Sequence, residues 1–367
     1  MFLASLRLRD WRNIAAAELG LKPGFTMFVG PNAQGKTNVL EAVYYLATAS
    51  SHRTHRHEDL VRWDQPAAHI RGEVISETTC HVLECGLEHG GRVVKRDDQP
   101  LARVGDLYGT LRVTLFASED LNIVSGAPQE RRRFLDMAVA QVRPGYVRLL
   151  QQYRRALRQR NEVLRSTPSG SGSNRSPQLD VWDVSVAGLG GEVVAARQEA
   201  VRKLAPIFQN QYGGLAMEGT AILSYKTRCE GGSPAEIAQS ILALLRLHRR
   251  SDLERGTTSL GPHHDDLSMA LDGRHLSVFG SQGEQRTAAL ALRLAEAQLL
   301  AQESGEPPVL LVDDVLYEVD RDRRQRYWKG IPGEYQLLVT ATDPRELAAT
   351  RQCGGMFHVT SGSLHPA

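Results

Sequence analysis

Eight residues limit what this chain can fold into more than anything else in it. Gly30-Pro31-Asn32-Ala33-Gln34-Gly35-Lys36-Thr37 fits the G-x-x-x-x-G-K-[ST] pattern of a phosphate-binding loop. The glycines let backbone N–H groups curl around phosphate oxygens without a clashing Cβ, and the following helix turns its N-terminal dipole to the same anion. Lys36 is placed to reach the β- and γ-phosphates, and Thr37 to offer its hydroxyl to Mg2+. The flanks agree. An apolar run, Phe25-Thr26-Met27-Phe28-Val29, precedes the loop, and from Asn38 onward Val39, Leu40, Ala42, Val43 and Leu46 recur at helical spacing. Strand, loop and helix in this order predict binding of a nucleoside triphosphate.

A second apolar strand, Val309-Leu310-Leu311-Val312, runs into Asp313-Asp314. In phosphate-loop proteins an acid at such a strand end reaches the magnesium, which makes Asp313 the candidate. Asp314 then stands where an attacking water is oriented or deprotonated. An Asp pair after a strand is, by itself, as often a turn. A third element, Phe279-Gly280-Ser281-Gln282-Gly283-Glu284-Gln285-Arg286, opens an amphipathic helix carrying Leu290, Leu292, Leu294, Ala295 and Leu299. Its Ser-x-Gly turn offers a hydroxyl and free backbone N–H groups, a second anion site. The plain alternative is a capped helix.

Between these elements the pattern changes twice. Short strand-like segments at 70–75, 80–87, 93–94 and 112–116 suggest a mixed or antiparallel sheet beside the main one. Pro128 to Arg165 is strongly helical, 166–176 is a Gly/Ser linker without an apolar side chain, and Pro177 to Gln211 is helical again. Two long helices around a polar hinge read as an αα-hairpin. A third helix is expected over Pro234 to Arg249. Leu267–Leu271 and Leu276–Val278 flank Asp272-Gly273, a hairpin with a DG turn. Buried strands over 308–312 and 336–340 alternate with helices, which indicates a parallel sheet covered on both faces. The fold class is therefore α/β: a discontinuous head of residues 1–116 and 256–367, with mixed sheets around the phosphate-loop helix, and a mainly helical lobe of 117–255 inserted in it.

Three motifs in that order resemble the ATP-binding-cassette heads. Within that group "LRLRDWRNI", "GPNAQGKTNVLEAVYYLA", "GAPQERRRFLD", "GPHHDDL", "SQGEQR" and "LLVDDVLYEVD" resemble the RecF family of bacterial recombination-mediator ATPases, related to SMC proteins. The likeness runs from residue 6 to about 345. It implies ATP and Mg2+ as cofactors, an ATP-dependent homodimer, and weak DNA-stimulated hydrolysis. It also implies binding to double-stranded and gapped DNA, with RecR and RecO as partners and RecA loading as the indirect result. By position it implies that Gly30 to Thr37 and Asn38 hold phosphates and that Arg12 and Asn13 lie near the nucleotide. Thr37 and Asp313 are then the magnesium residues, and Asp314 acts in hydrolysis. Ser281, Gln282, Gly283, Glu284 and Gln285 act in trans on the partner's nucleotide, and Asp320 marks the loop that crosses the dimer interface. Tyr317 departs from the pattern, standing where a small Ser is usual. Asp314 is one methylene shorter than the Glu of fast heads, which predicts slow turnover.

The net charge is only +2, so any DNA affinity must come from local patches. Between Arg143 and Arg165 there are seven Arg against Glu162, and Arg131-Arg132-Arg133 precede them. Arg148, Arg154, Arg155 and Arg158 are the candidate DNA contacts, reading backbone rather than bases. With six lysines among 44 basic residues, arginine use also reflects composition, and a solvated helix face is the competing reading. His263-His264-Asp265-Asp266 has metal-ligand residue types but reads better as a strand-entry loop. No apolar run approaches the length of a bilayer span, and the start has no apolar segment of signal length, so a cytoplasmic protein without membrane contact is expected. Cys80, Cys85, Cys229 and Cys353 are expected as small buried thiols. The ATPase subunit of a membrane transporter is disfavoured, because strand 336–340 leads to Ala341-Thr342-Asp343 and not to a switch histidine. An inert scaffold is disfavoured by the intact Lys36, Thr37, Asp313 and Asp314.

Overall fold

The computed structural model describes residues 1–88, 90–167, 177–313, 321–343 and 353–367, which form two compact units. The first comprises Met1–Leu121, Ile207–Thr220 and Gly280–Ala367; the second comprises Asn122–Pro206 and Ala221–Phe279.

The first unit is built on two six-stranded sheets. One has the spatial order Val113–Phe116, Val309–Val312, Leu337–Ala341, Phe25–Val29, Cys353–Thr360, Ser363–Pro366. All neighbours in it are parallel except the last pair. Every residue of Phe25–Val29, Val113–Phe116, Val309–Val312 and Leu337–Ala341 is buried, as a parallel sheet covered on both faces requires. The other sheet is antiparallel, in the order Ile14–Gly20, Phe2–Trp11, Ala67–Ile75, Cys80–Glu88, Gly91–Arg96, Gln99–Pro100. Ala67–Ile75 alternates between buried and half-buried positions along its whole length, the mark of one face on a core.

The helix Lys36–Thr48 packs on both sheets. Against the antiparallel one the approach is close: a Cβ at Gly72 would lie 2.5 Å from Leu46 Cδ2 and 2.9 Å from Leu3 Cδ1. Gln336 joins the sheets. Its buried amide accepts from Leu3 N at 2.8 Å and donates to Leu3 O and Lys22 O at 2.9 and 3.0 Å, so none of these groups is left without a partner.

The second unit contains the helices Pro128–Val142, Tyr146–Ser166, Pro234–Leu247 and Arg249–Arg255, the first part of the helix Pro177–Ala216, and a three-stranded sheet. Tyr146–Ser166 and Pro177–Ala216 run antiparallel, since Arg160 pairs with Asp183 and the earlier Arg143 with the later Glu192. The Gly/Ser linker lies outside the described residues.

The unit boundaries differ from the expected 116/117 and 255/256 divisions. Asp266–Leu271 pairs over six positions with Ala221–Lys226, which draws the DG hairpin into the second unit. The last turns of the long helix belong to the first unit, where Gln211 Nε2 donates to Gln298 Oε1 at 3.0 Å. The hairpin's return strand is only Arg274–His275, and Leu276–Phe279 is a short helix rather than a strand. Alternation would bury Leu276 and Val278 together, but only Leu276 reaches the core and Val278 is 70% exposed. Among the described residues no helix is long and apolar enough to cross a membrane. Cys85 and Cys229 are buried as expected, whereas Cys80, at the start of its strand, is exposed. The side chain of Cys353 lies outside the described part of the structure.

Candidate functional site

The phosphate loop leaves the C-terminal end of Phe25–Val29, and Gly30 N donates to Ala341 O of the neighbouring strand at 3.2 Å. The loop is strained where its shape needs it. Ala33 sits at φ 63 and Gly35 at φ 110, and a Cβ on Gly35 would lie 2.6 Å from Asn13 Oδ1. Such conformations persist where the surroundings hold them in place. Lys36 is buried, and its ammonium donates to Gly30 O at 2.7 Å and Pro31 O at 3.1 Å. A phosphate oxygen is a stronger acceptor than either carbonyl.

Thr37 and Asp313 meet. The Thr37 hydroxyl donates to Asp313 Oδ1 at 2.9 Å, and the Thr340 hydroxyl donates to the same oxygen at 2.8 Å. A carboxylate and a hydroxyl side by side are the hard oxygen donors that Mg2+ takes while keeping water and phosphate oxygens as its other ligands. This donor set, beside a buried ammonium, fits a magnesium-bound polyphosphate.

The turn that joins the first two strands lies against the loop. Trp11 is fully buried, stacks at a tilt on Tyr45 with ring centroids 5.4 Å apart, and donates from Nε1 to Asn38 O at 2.8 Å. Asn13 Nδ2 donates to Gln34 O at 3.0 Å, and Asn38 Nδ2 donates to Asn13 Oδ1 at 2.8 Å. Arg12, at φ 53, sits beside them and grips Glu41 with two hydrogen bonds of 2.8 and 2.6 Å. Glu41 is wholly buried on the loop's own helix and also accepts from Ser51 at 2.6 Å and Arg53 at 3.4 Å. Burial alone would push its carboxyl up, but the hydrogen bonds from Arg12 and Ser51 and the charges of Arg12 and Arg53 outweigh it and hold it below the usual range.

Glu41, Thr340 and the contact of Gln34 Oε1 with Ser361 N at 2.6 Å escape the sequence reading. Glu41 left a trace, an acid within an otherwise apolar helical run. Thr340 left none, because a strand-end Thr is ordinary.

At the second motif Ser281 caps the helix Gln282–Ser304. Its hydroxyl accepts from Glu284 N at 3.3 Å and donates to Glu284 Oε2 at 2.8 Å, and Ser281 N donates to Glu284 Oε2 at 2.7 Å, a reciprocal capping box. Ser281 and Gln282 are exposed, while Gly283, Glu284 and Gln285 are half-buried, with Gln285 Nε2 donating to Gly280 O at 3.1 Å. Asp314, Tyr317 and Asp320 lie outside the described residues.

Of the basic cluster, Arg148, Arg154, Arg155 and Arg158 are exposed on one side of Tyr146–Ser166 and make no ion pair among the described residues. Arg160 does not belong with them. It is fully buried, donating from Nε to Asp183 at 2.7 Å and from Nη1 to Asp252 at 2.8 Å and Thr258 at 2.7 Å. Arg131 is likewise buried and bound twice to Asp266, at 2.7 and 3.0 Å. In the GPHHDD segment both histidines face Thr258 O through Nε2 at 3.1 Å, and Tyr153 meets His263 Nδ1 at 2.6 Å. Burial pushes His263 down to about 4, so its ring is neutral at pH 7, with Nε2–H donating and Nδ1 accepting. No group of three or more His, Cys, Asp or Glu side chains that could hold a metal ion occurs among the described residues.

A family model described as RecF/RecN/SMC N terminal domain matches residues 2–365. Proteins described as DNA replication and repair protein RecF from Bacillus cereus and Bacillus mycoides are each 36% identical to the chain over 369 residues, covering 99% of it and 98% of the relative. Two solved structures of the recombination mediator protein RecF in the RecFOR pathway are similar throughout. The RecF-ATP form has a TM-score of 0.91 at 28% identity, covering 100% of this chain and 97% of that one. The RecF-ATPrS form has 0.90 at 27%, covering 100% and 98%. An SmcHead bound to the C-winged helix domain of ScpA, with a TM-score of 0.59 at 14% identity over 100% and 97%, shares the fold.

Proposed function

The chain belongs to the RecF family, with the ABC-type ATPase head that RecF and SMC proteins share, and from that premise we propose that it is an ATP-gated DNA-binding protein of recombinational repair. The observation that carries the proposal is the Thr37–Asp313–Thr340 contact, which brings the phosphate loop and an acid 276 residues away from Thr37 onto one oxygen. In this reading the backbone of Gly30 to Gly35 cradles the phosphates, Asn38 and Asn13 hold the loop, and Lys36 exchanges its carbonyl partners for phosphate oxygens. Thr37 and Asp313 would hold Mg2+, which would supply charge neutralisation to the phosphoryl group. Asp314 positions the attacking water, and its short reach keeps hydrolysis slow. Arg12 is a positioning residue, since its guanidinium is committed to Glu41.

The exposed Ser281 and Gln282, with Gly283, Glu284 and Gln285, act in trans. Ser281 gives up its bond to Glu284 for the γ-phosphate held by a second copy, so ATP closes a homodimer, and Asp320 lies in the loop crossing that interface. The dimer binds double-stranded and gapped DNA through Arg148, Arg154, Arg155 and Arg158. The naming of the similar structures' pathway as RecFOR supports RecO and RecR as partners; RecA loading is the outcome proposed for that partnership.

The test records mass in solution and DNA affinity with ATP, with ADP and without nucleotide. ATP alone should give both the dimer and tight binding, and Ser281→Arg should abolish both while leaving monomer ATP binding intact. DNA binding indifferent to nucleotide would sink the reading. For the DNA surface, replacing the four exposed arginines by Gln should lower the slope of log affinity against log salt by about 3–4, roughly one per lost phosphate contact. An unchanged slope would make them a solvated face.

A further inference from the structure

Trp63 is 90% exposed, an indole left in solvent by a chain that buries Trp11 and Trp328 to 0% and 3%. Its exposure is built. Trp63 and Asp64 form the centre of a turn closed by Gln65 N donating to Arg62 O at 3.1 Å, with Asp64 at φ 62. The turn is tied to the loop beside the nucleotide site by two backbone bonds, Arg62 N to Asp10 O and Arg12 N to Leu60 O, both 2.8 Å. Arg12 Nη1 adds a bond to Asp59 O at 2.7 Å, and the same guanidinium holds Glu41 of the phosphate-loop helix. Trp63 is therefore held out on a fixed mount anchored to the ATP site.

Its surroundings say what fits on it. The other large exposed apolar residues of the first unit, among those described, are Val93 and Met217. Val93 lies on Gly91–Arg96, two strands across the antiparallel sheet from Ala67–Ile75, and Met217 contacts Arg326. A protein partner would find one ring and no apolar patch around it, whereas interface anchors lie within well-packed, water-excluding surroundings. The charged groups of the turn and the loop bonded to it are Arg62, which precedes Trp63 in the chain, the exposed Asp64 that follows it, and Arg9 and Asp10 of the adjoining strand. Arg9 is 82% exposed and loosely paired to Asp10 at 3.8 Å, and Arg62 is 42% exposed beside the same carboxylate at 3.4 Å. One bare aromatic face, on a turn whose preceding residue offers a part-exposed guanidinium, matches a nucleobase with a phosphate beside it.

We infer that Trp63 is a stacking platform for an unpaired base of single-stranded DNA, so that the head itself senses the single-stranded part of a gap. This rests on the DNA-binding reading above and adds to it. Stacking needs no counterion release, so its contribution is insensitive to salt, in contrast to that of the arginine face.

The experiment measures affinity of the full chain, with ATP and Mg2+, for a duplex and for the same duplex with a single-stranded gap. The wild type is compared with Trp63→Ala and Trp63→Phe, and iodide quenching of tryptophan emission is followed alongside. Trp63→Ala should lower affinity for the gapped substrate about ten-fold or more at both low and high salt and leave duplex affinity unchanged. Trp63→Phe should recover most of the loss, and gapped DNA should protect the wild-type indole from iodide. Equal binding of gapped DNA by wild type and Trp63→Ala overturns the inference and leaves the DNA-binding reading standing. Protection by ATP alone assigns the stacked base to the nucleotide and also overturns it, as does an equal loss on duplex. A wild type that binds neither DNA fails at the earlier step.

Discussion

Lys36→Met is expected to lower ATP turnover at saturating nucleotide by roughly 10²–10³-fold, the effect of removing one preorganised charge donor from a transition state. The ammonium is buried and held by two loop carbonyls at 2.7 and 3.1 Å, and in the proposed reading it exchanges them for phosphate oxygens with little rearrangement. Methionine keeps most of the apolar stem and removes only the charge. The fold should therefore survive, and the melting temperature without nucleotide should move by no more than a few degrees. Phosphate release over time, with a thermal melt on the same sample, separates the two effects. Turnover within a few-fold of wild type would show that the loop is not the hydrolytic site and would remove the basis of the ATP gate.

The parts of the site that the sequence made legible are those in which local backbone shape is the chemistry. A phosphate loop needs glycine at set positions, a helix start and a strand before it, and each leaves a mark within eight residues. The acid strand was legible for the same reason, four buried apolar residues and then carboxylates. Contacts between distant segments left no such mark. Arg12 is placed near the loop by the family resemblance, yet its two bonds to Glu41 depend on a tertiary approach that no local pattern encodes. Ser281 shows a motif with two compatible meanings: a serine three residues before a glutamate caps a helix whether or not a phosphate ever replaces the cap. The strand expected at 276–278 failed because alternation requires a core on one side, and Val278 has none.

Arginine is where sequence and structure part most sharply. Arg158 and Arg160 are two residues apart on one helix, identical in type, and opposite in role. Arg158 is exposed, whereas Arg160 is 0% exposed and faces Asp183 and Asp252, themselves 0% exposed. Arg249 joins the same network through Asp183 and, at 2.5 Å, Asp180. Removing Arg160 takes a charged partner from two buried carboxylates, leaving Asp183 to Arg249 alone and Asp252 to the Ser259 donors, a loss of about 3–5 kcal/mol. Arg160→Met is therefore expected to lower the thermal midpoint by roughly 6–20 °C for a unit of this size, whereas Arg158→Gln should leave it unchanged and weaken only DNA binding. Circular dichroism melts of the variants, read against salt-dependent DNA affinity, test the assignment. If Arg160→Met melts like the wild type and loses DNA affinity as Arg158→Gln does, then its burial is not the state that matters in solution, and Arg160 returns to the DNA-binding face.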